Sequence, residues 1–339
     1  MVNDLTESDI KILHTIQQDF PVCHQPFKTL SSKLNIIEDE VLNRIKALKK
    51  QGIIRRITPL FDSSKLGYVG TLIAMKVPDE RINEVAKIID KYPEITHNYE
   101  REGEYNIWFT LIAKSKEEIE KIIAQIKTKS KIEQILNLKK MNKFKIAAVF
   151  KIEHPVSHHL NPLPAGNSEE EVKYEICEFQ PQETFSPDAL DKAILKELQE
   201  SIPLVDKPYQ SIAQKIGIDE KRLFEKIKWY KKTGIIRKVR AVLNHYKVGM
   251  EENVMVVFKV EPADMLKLAK IMSQYPQVTH CYERATSVDW QYNLFAMIHG
   301  RSKQECEKII SSILQKTNLT IYKKLYTKRE LKKANPGYF

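Results

Sequence analysis

Residues 9–61 read DIKILHTIQQDFPVCHQPFKTLSSKLNIIEDEVLNRIKALKKQGIIRRITPLF, and residues 191–243 read DKAILKELQESIPLVDKPYQSIAQKIGIDEKRLFEKIKWYKKTGIIRKVRAVL. The second stretch begins 182 residues after the first, with Pro21 answered by Pro203, Pro26 by Pro208, and Gly52-Ile-Ile-Arg55 by Gly234-Ile-Ile-Arg237. Downstream, KYPEITHNYER over 91–101 returns as QYPQVTHCYER over 274–284. Self-similarity at a near-constant offset marks a duplicated unit. The chain therefore reads as two copies of one two-part unit, joined head to tail.

The first part of each copy carries helical spacing. Ile10, Leu13 and Ile16 predict one helix with Ser8 as its N-cap, Phe27, Leu30 and Leu34 a second, and Val41, Leu42, Ile45 and Leu48 a third that Gly52 stops. IIRRITPLF then reads as a strand or wing, giving a winged helix-turn-helix over 1–62 and again over 188–245. The second part alternates element types. GTLIAMKV is a strand, DERINEVAKIIDKY a helix, EITHNYER and EYNIWFTLIA strands, SKEEIEKIIAQIK a helix, and KIEQILNLKKMNKFKI a last strand. That βαββαβ order is ferredoxin-like, over 68–150 and 250–335. Copy two inserts a longer loop, ATSVDWQ between Arg284 and Tyr292, where copy one has EGE between Arg101 and Tyr105. The predicted class is α+β. Residues 151–187, rich in proline and acidic side chains, read as a linker. His154, His158 and His159 fall there. A metal site from these three is one reading, and a solvated polar linker the preferred one, since no carboxylate or cysteine sits at matching spacing.

With 339 residues, 42% hydrophobic and 29% charged, the composition is that of a soluble globular chain. A net charge of +11 predicts an anionic partner: nucleic acid, a membrane surface or a polycarboxylate. Cys23, Cys177, Cys281 and Cys306 are scattered without a CxxC, so neither a zinc finger nor a disulfide framework is indicated. The start MVNDLTESDIK is unlike a signal peptide, and no apolar run reaches membrane length, so a cytoplasmic location is expected. Ten glycines with no GxGxxG and no GxxxxGK[ST] argue against a nucleotide-dependent enzyme.

A winged helix-turn-helix followed by a ferredoxin-like domain resembles the Lrp/AsnC regulators, in which the second domain dimerises and senses amino acids. That resemblance implies DNA binding. The would-be recognition helices, however, begin Glu38-Asp39-Glu40 and Asp219-Glu220, which suit a helix dipole and repel phosphate. The halves have also diverged selectively: His97-Asn98-Tyr99-Glu100-Arg101 keeps its pattern as His280-Cys281-Tyr282-Glu283-Arg284, while copy two alone carries Trp290. At these residues the chain resembles the siroheme decarboxylases, the paired Ahb-type and Nir-type proteins of the same architecture. THNYER with YNIWFTL looks like the A or D type of subunit. THCYER with WQYNLFAMIHG, preceded by IIRKVRAVLNHYKVG and followed by LYTKRELKK, looks like the B or L type. The likeness runs from about Leu5 to Phe150 and from about Ser186 to Lys333. It implies loss of two acetate carboxyls of siroheme as CO2, giving 12,18-didecarboxysiroheme, toward heme d1 or by the alternative route to heme b. The iron belongs to the substrate, and no cofactor is implied.

Strand alternation puts His97, Tyr99 and Arg101 on one sheet face, and likewise His280, Tyr282 and Arg284. A base, a phenol and an imidazole together can hold a carboxylate and protonate the carbon that loses CO2. Imidazole also ligates haem-type iron, so His97 or His280 is a candidate axial ligand to the siroheme iron. The bland alternatives are structural histidines, and arginines salt-bridged to Glu100 or Glu283. Trp290, Tyr292, Tyr105 and Trp108 are candidates to stack on the macrocycle, with core packing preferred for Trp108. Arg55, Arg56, Arg237, Lys238, Arg240 and His245 form a basic wing that suits either DNA phosphate or tetrapyrrole carboxylates across an interdomain cleft. Lys323, Lys324, Lys328 and Arg329 could add to it. The principal site is expected in copy two, because of Trp290 and the extra basic residues. The two copies are expected to pair as an intramolecular pseudo-dimer, with further homo-oligomers open. A DNA-binding regulator and a non-catalytic sensor of tetrapyrroles or amino acids remain the competing readings.

Overall fold

The computed structural model describes residues 5–146, 150, 152, 185–334 and 337–338; the linker reading, apart from Ile152 and residues 185–187, lies outside them, as do His154, His158 and His159. Copy one opens with α1 (Glu7–Gln18), α2 (Pro26–Leu34), α3 (Glu38–Lys50) and β1 (Ile54–Phe61), and copy two repeats them as α6 (Ala189–Gln199), α7 (Pro208–Ile216), α8 (Glu220–Lys232) and β6 (Ile236–Leu243). Thr6, rather than Ser8, caps α1. Its hydroxyl accepts from the Asp9 amide at 3.2 Å while the Asp9 carboxylate accepts from the Thr6 amide at 3.0 Å, a reciprocal box. Ser8 has Lys11 three residues on and so lacks the acidic partner the box needs.

The wing is completed by the other copy. β1 and β6 pair with each other in an antiparallel ribbon, Ile57 opposite Ala241, and among the described residues no third strand joins them. One ribbon face carries Ile54, Ile57, Ile236, Val239 and Ala241 into a core shared by both sets of helices, around Ile16, Phe27, Ile45, Leu195 and Tyr230. The Phe20 amide bonds the Val239 carbonyl, and the Ile202 amide the Ile57 carbonyl, both at 2.7 Å. The two helix-turn-helix parts are thus one folding unit.

The second parts comprise β2 (Val69–Met75), α4 (Ile82–Ile89), β3 (Ile95–Arg101), β4 (Ile107–Ala113), α5 (Lys116–Ser130) and β5 (Ile135–Ile146), then β7 (Glu252–Phe258), α9 (Met265–Ser273), β8 (Val278–Arg284), β9 (Leu294–Gly300), α10 (Lys303–Thr317) and β10 (Tyr322–Lys333). Each copy gives a sheet in ferredoxin-like order, β3-β4-β2-β5 and β8-β9-β7-β10. β5 and β10 are each 12 residues long, about twice what their own sheets use. β5 pairs with β2 up to Lys139, then runs on as a partner of β8 from Lys140 to Ile146; β10 pairs with β7 to Tyr326 and with β3 from Thr327 to Lys333. The exchange closes an eight-stranded barrel with no open sheet edge. Helices cover each sheet from outside, over Ile73, Ile89 and Phe109 in copy one and Val256, Ala296 and Ile310 in copy two. Among the described residues no helix is long and apolar enough to cross a membrane.

Candidate active site at the mouth of the barrel

A β-bulge in each copy builds the site. The register of β3 on β4 slips between Ile95 and His97, and that of β8 on β9 between Val278 and His280. A bulge re-aims a side chain from the regular alternation, and here a threonine and the histidine after it come within bonding distance. Thr96 Oγ1 lies 2.9 Å from His97 Nδ1, and Thr279 Oγ1 lies 3.0 Å from His280 Nδ1. Past the bulge, alternation resumes. Asn98 turns outward to Asp90 at 3.1 Å and Cys281 enters the helix-side core, while Tyr99, Arg101, Tyr282 and Arg284 turn into the barrel. The His97 and Tyr99 rings stack at 6.3 Å, those of His280 and Tyr282 at 6.1 Å, and the arginines lie 5.1 and 5.2 Å over their own tyrosines. The two triads predicted from spacing are thus assembled, facing one another inside one barrel.

Among the described residues both arginines are cations without a counter-ion. Arg101, 4% exposed, donates to the Leu325 carbonyl, to Thr327 Oγ1 at 2.7 Å and to Met297 Sδ; Arg284 donates to the Leu138 carbonyl at 3.0 Å. Neither makes an ion pair among the described residues, and the Nε of each is buried without a partner. The salt-bridge alternative is corrected: Glu100 takes Arg329 at 2.9 Å, and Glu283 takes the Asn142 amide at 2.6 Å. Burial pulls both guanidiniums down to about 10, still protonated at neutral pH. An unpaired buried charge costs several kcal/mol, so this interior is poised for anions.

The ribbon roofs the mouth with more positive charge. Burial first, then Lys333, His280, Arg56 and Arg55, pulls the His97 imidazole down to about 3. Burial, then Arg240, Lys145, Lys333 and Arg284, pulls His280 down to about 4. Arg55 and Arg56 thus act electrostatically on the first triad's imidazole and Arg240 on the second's. Arg55 meets Glu330 at 3.5 Å, while Arg237 pairs with Asp62, which also meets Lys143 at 3.4 Å. Lys238 is half-buried on the same ribbon, its ammonium pulled down by burial and by Arg240. A cavity of about 130 Å³ opens there, lined by Arg56, Thr58, Phe61, Gln199, Arg240 and Tyr338. His245, 4% exposed, sits 3.4 Å from the Lys333 ammonium with Nε2 unpartnered.

The structure adds His299 and Lys333, which spacing did not single out. His299 Nδ1 is 3.1 Å from Thr279 Oγ1, and its ring is 5.5 Å from that of His245. Phe295, Met297 and His299 alternate inward on β9, and a histidine in that apolar register was the signal to read. Lys333 ends β10 opposite His97.

The aromatic candidates are corrected. Ser287 and Trp290 bridge, folding the copy-two loop inward, and Trp290 at 4% exposure meets Tyr105, Trp108 and Tyr292 edge-on at 5.8, 5.4 and 5.0 Å. With Leu136, Val257 and Leu325 these rings pack one another in the barrel interior, Trp290 and Trp108 almost fully buried, and so offer little open face to a macrocycle. The case for copy two as the principal site loses that support. Of the lysine-rich tail, Lys323 lies over Trp290 and Tyr292, Lys324 meets Glu307, and Arg329 meets Glu100, so these three do not face the mouth.

A family model described as the Siroheme decarboxylase NirDL-like HTH domain matches residues 9–55 and 191–237, and one described as the AsnC-like ligand binding domain matches 65–145 and 247–332. The chain is 32% identical over 330 residues to the siroheme decarboxylase of Hydrogenobacter thermophilus, covering 97% of this chain and 94% of that protein. It also matches a siroheme decarboxylase alpha subunit of Desulfovibrio desulfuricans at 41% identity, over 44% of this chain and 87% of that subunit, so that relative is one copy long. Among solved structures, the siroheme decarboxylase NirDL in co-complex with an iron-uroporphyrin III analogue is similar at TM-score 0.71 and 28% identity, covering 97% of this chain and 93% of that one.

Proposed function

Because the chain belongs to the siroheme decarboxylase family, in its two-copy form, we propose that it removes the two acetate carboxyls of siroheme as CO2. The product is 12,18-didecarboxysiroheme, on the way to heme d1 or to heme b. The observation that carries this reading is a pair of guanidiniums, the buried Arg101 and the half-buried Arg284, that make no ion pair among the described residues and lie near the further arginines of the ribbon. A tetrapyrrole with many carboxylates supplies the missing charge.

Each decarboxylation breaks the bond between the methylene and carboxylate carbons. The electron pair stays on the methylene carbon, which takes one proton to become methyl, and the carboxylate leaves as CO2. The protein can hold the macrocycle's carboxylates on Arg55, Arg56, Arg237, Lys238 and Arg240, and on the two barrel arginines. A site stripped of water disfavours the reacting carboxylate more than neutral CO2. Burial holds the Tyr282 phenol up at about 12 and pushes Tyr99 up as well, so both remain protonated donors at neutral pH. His97 and His280 present a nitrogen to supply the proton or to ligate the substrate's iron, Nδ1 being engaged by threonine in each. His245 completes the basic wall. On this reading no cofactor is required, since the iron comes with the substrate. The buried free thiols Cys281 and Cys306 accord with a reducing, cytoplasmic setting.

DNA regulation is not favoured. His24 of copy one bonds Glu220 at 2.6 Å in the first turn of α8, where a recognition helix would meet DNA, and the shared core binds the two helical parts together. Anaerobic incubation with siroheme followed by mass analysis tests the proposal. Loss of two CO2 per macrocycle is the expected result, and unchanged siroheme bound or free would overturn it.

A further inference from the structure

We propose that Thr279 and His299 form a proton relay that recharges His280 during decarboxylation, a device confined to the second copy. The proposal rests on the decarboxylase reading and deepens it. Its basis is geometric. Thr279 Oγ1 stands between two imidazoles, 3.0 Å from His280 Nδ1 and 3.1 Å from His299 Nδ1, and the bulge in β8 is what lets one hydroxyl reach both. Its third contact is the Met297 carbonyl at 3.3 Å. A hydroxyl that can accept from one imidazole while donating to another is the minimal element of a proton wire.

Copy one has the first half of this device and lacks the second. Thr96 bonds His97 at 2.9 Å, but in the position matching His299 on β9 stands Ile112 on β4, and Ser63 stands where copy two has His245. Two matched strands have therefore kept the threonine and histidine and differ in what lies behind them. Behind His299 come His245, whose Nε2 is buried without a partner, and Lys333 next to it.

The proton balance closes within the cluster. Before the step His280 is neutral with its proton on Nε2 and His299 is the imidazolium. His280 Nε2 gives its proton to the methylene carbon as CO2 leaves; Nδ1 takes the threonine proton, and Thr279 takes one from His299 Nδ1. Both imidazoles end neutral, and the negative charge left by the broken bond is cancelled. The charged groups facing this cluster are cationic: Arg240, Lys145, Lys333 and Arg284 around His280, and Lys333 and Arg101 around His299, with the uncharged His245 imidazole beside them. In the empty site they keep both imidazoles uncharged. The carboxylates of a bound macrocycle reverse that field and supply the condition for His299 to load a proton.

The test is single-turnover CO2 release by the full chain with siroheme, over pH 6 to 8, for His299→Ile, Thr279→Val and Thr279→Ser. General acid catalysis is worth typically 10²–10⁴-fold, so interrupting its resupply should lower the rate at least about tenfold in His299→Ile and Thr279→Val, with siroheme affinity within about twofold of the parent. The parent rate should fall with rising pH as His299 gives up its proton to solvent, and that dependence should be absent from both variants, in which no imidazolium feeds His280. Thr279→Ser should restore rate and profile, a result that mere packing by the threonine methyl would not produce. Parent-like rates and pH profiles in His299→Ile and Thr279→Val overturn the relay while leaving the decarboxylase reading intact. A parent chain that releases no CO2 overturns both.

Discussion

Trp290 offers the sharpest separation between packing and substrate contact. Its indole is 4% exposed and meets three other aromatic rings inside the barrel. Replacing such a side chain by alanine removes its burial and leaves a cavity, a loss of about 3–5 kcal/mol. At about 2–4 °C per kcal/mol for a unit of this size, Trp290→Ala should lower the melting temperature by roughly 10 °C. Trp290→Phe should behave differently. The indole Nε1 is buried without a partner, a burden of about 1–3 kcal/mol, and phenylalanine removes it while keeping much of the ring contact. We expect that variant within about 1 kcal/mol of the parent. Scanning calorimetry measures both, and titration with siroheme well below the transition measures affinity, expected unchanged within about threefold. A Trp290→Ala protein that melts like the parent but binds siroheme ten times more weakly would refute the argument and restore the indole as a stacking surface.

Three further outcomes follow from the charges and caps. Arg101→Met and Arg284→Met each remove a cation that makes no ion pair among the described residues, so each should raise the melting temperature or leave it unchanged while siroheme binding weakens at least about tenfold; simultaneous losses of stability and binding would count against the reading. His97 and His280 have folded-state values near 3 and 4, below the ordinary 6.5, so the unfolded chain binds more protons between those limits. Stability is therefore full above about pH 6.5 and is lost as pH falls toward 4, and the double variant His97→Gln, His280→Gln should show a shallower decline in urea titrations across that window. Thr6→Ala should cost about 1 kcal/mol by chemical denaturation and Ser8→Ala close to nothing, since only Thr6 closes the capping box.

Much of this molecule is legible before folding. Repetition shows the duplication, helical spacing finds the helices, and period-two alternation puts His97, Tyr99 and Arg101 on one face. Those inferences are local, and local backbone geometry enforces them. What stayed hidden depends on which strands meet. The KKMNKFKI end of β5 carries no mark that its partner is β8 of the other copy, and IIRRITPLF looks like a wing whether its partner is its own hairpin or β6. Trp290 departs from its expected place for the same reason. Its loop is polar in sequence, and only the Ser287 bridge turns the indole inward. The bulges that set Thr96 and Thr279 beside their histidines break alternation by one residue, which no spacing rule anticipates.

The strand exchange that closes the barrel also shapes the chain's history on the ribosome. When copy one has emerged, β3 has no partner along one edge, and the Lys140–Ile146 half of β5 has none at all; both wait for strands more than a hundred residues away. Pairings this distant in sequence form late. An exposed, flat, apolar strand would invite aggregation during the wait. Lys140, Lys143 and Lys145 on one arm, and Lys328, Arg329, Lys332 and Lys333 on the other, keep these segments hydrated until their partners arrive. Some of those same lysines, Lys145 and Lys333 among them, then face the histidines of the finished site. One set of charges thus guards the nascent chain and later furnishes the polarity of the chamber it encloses.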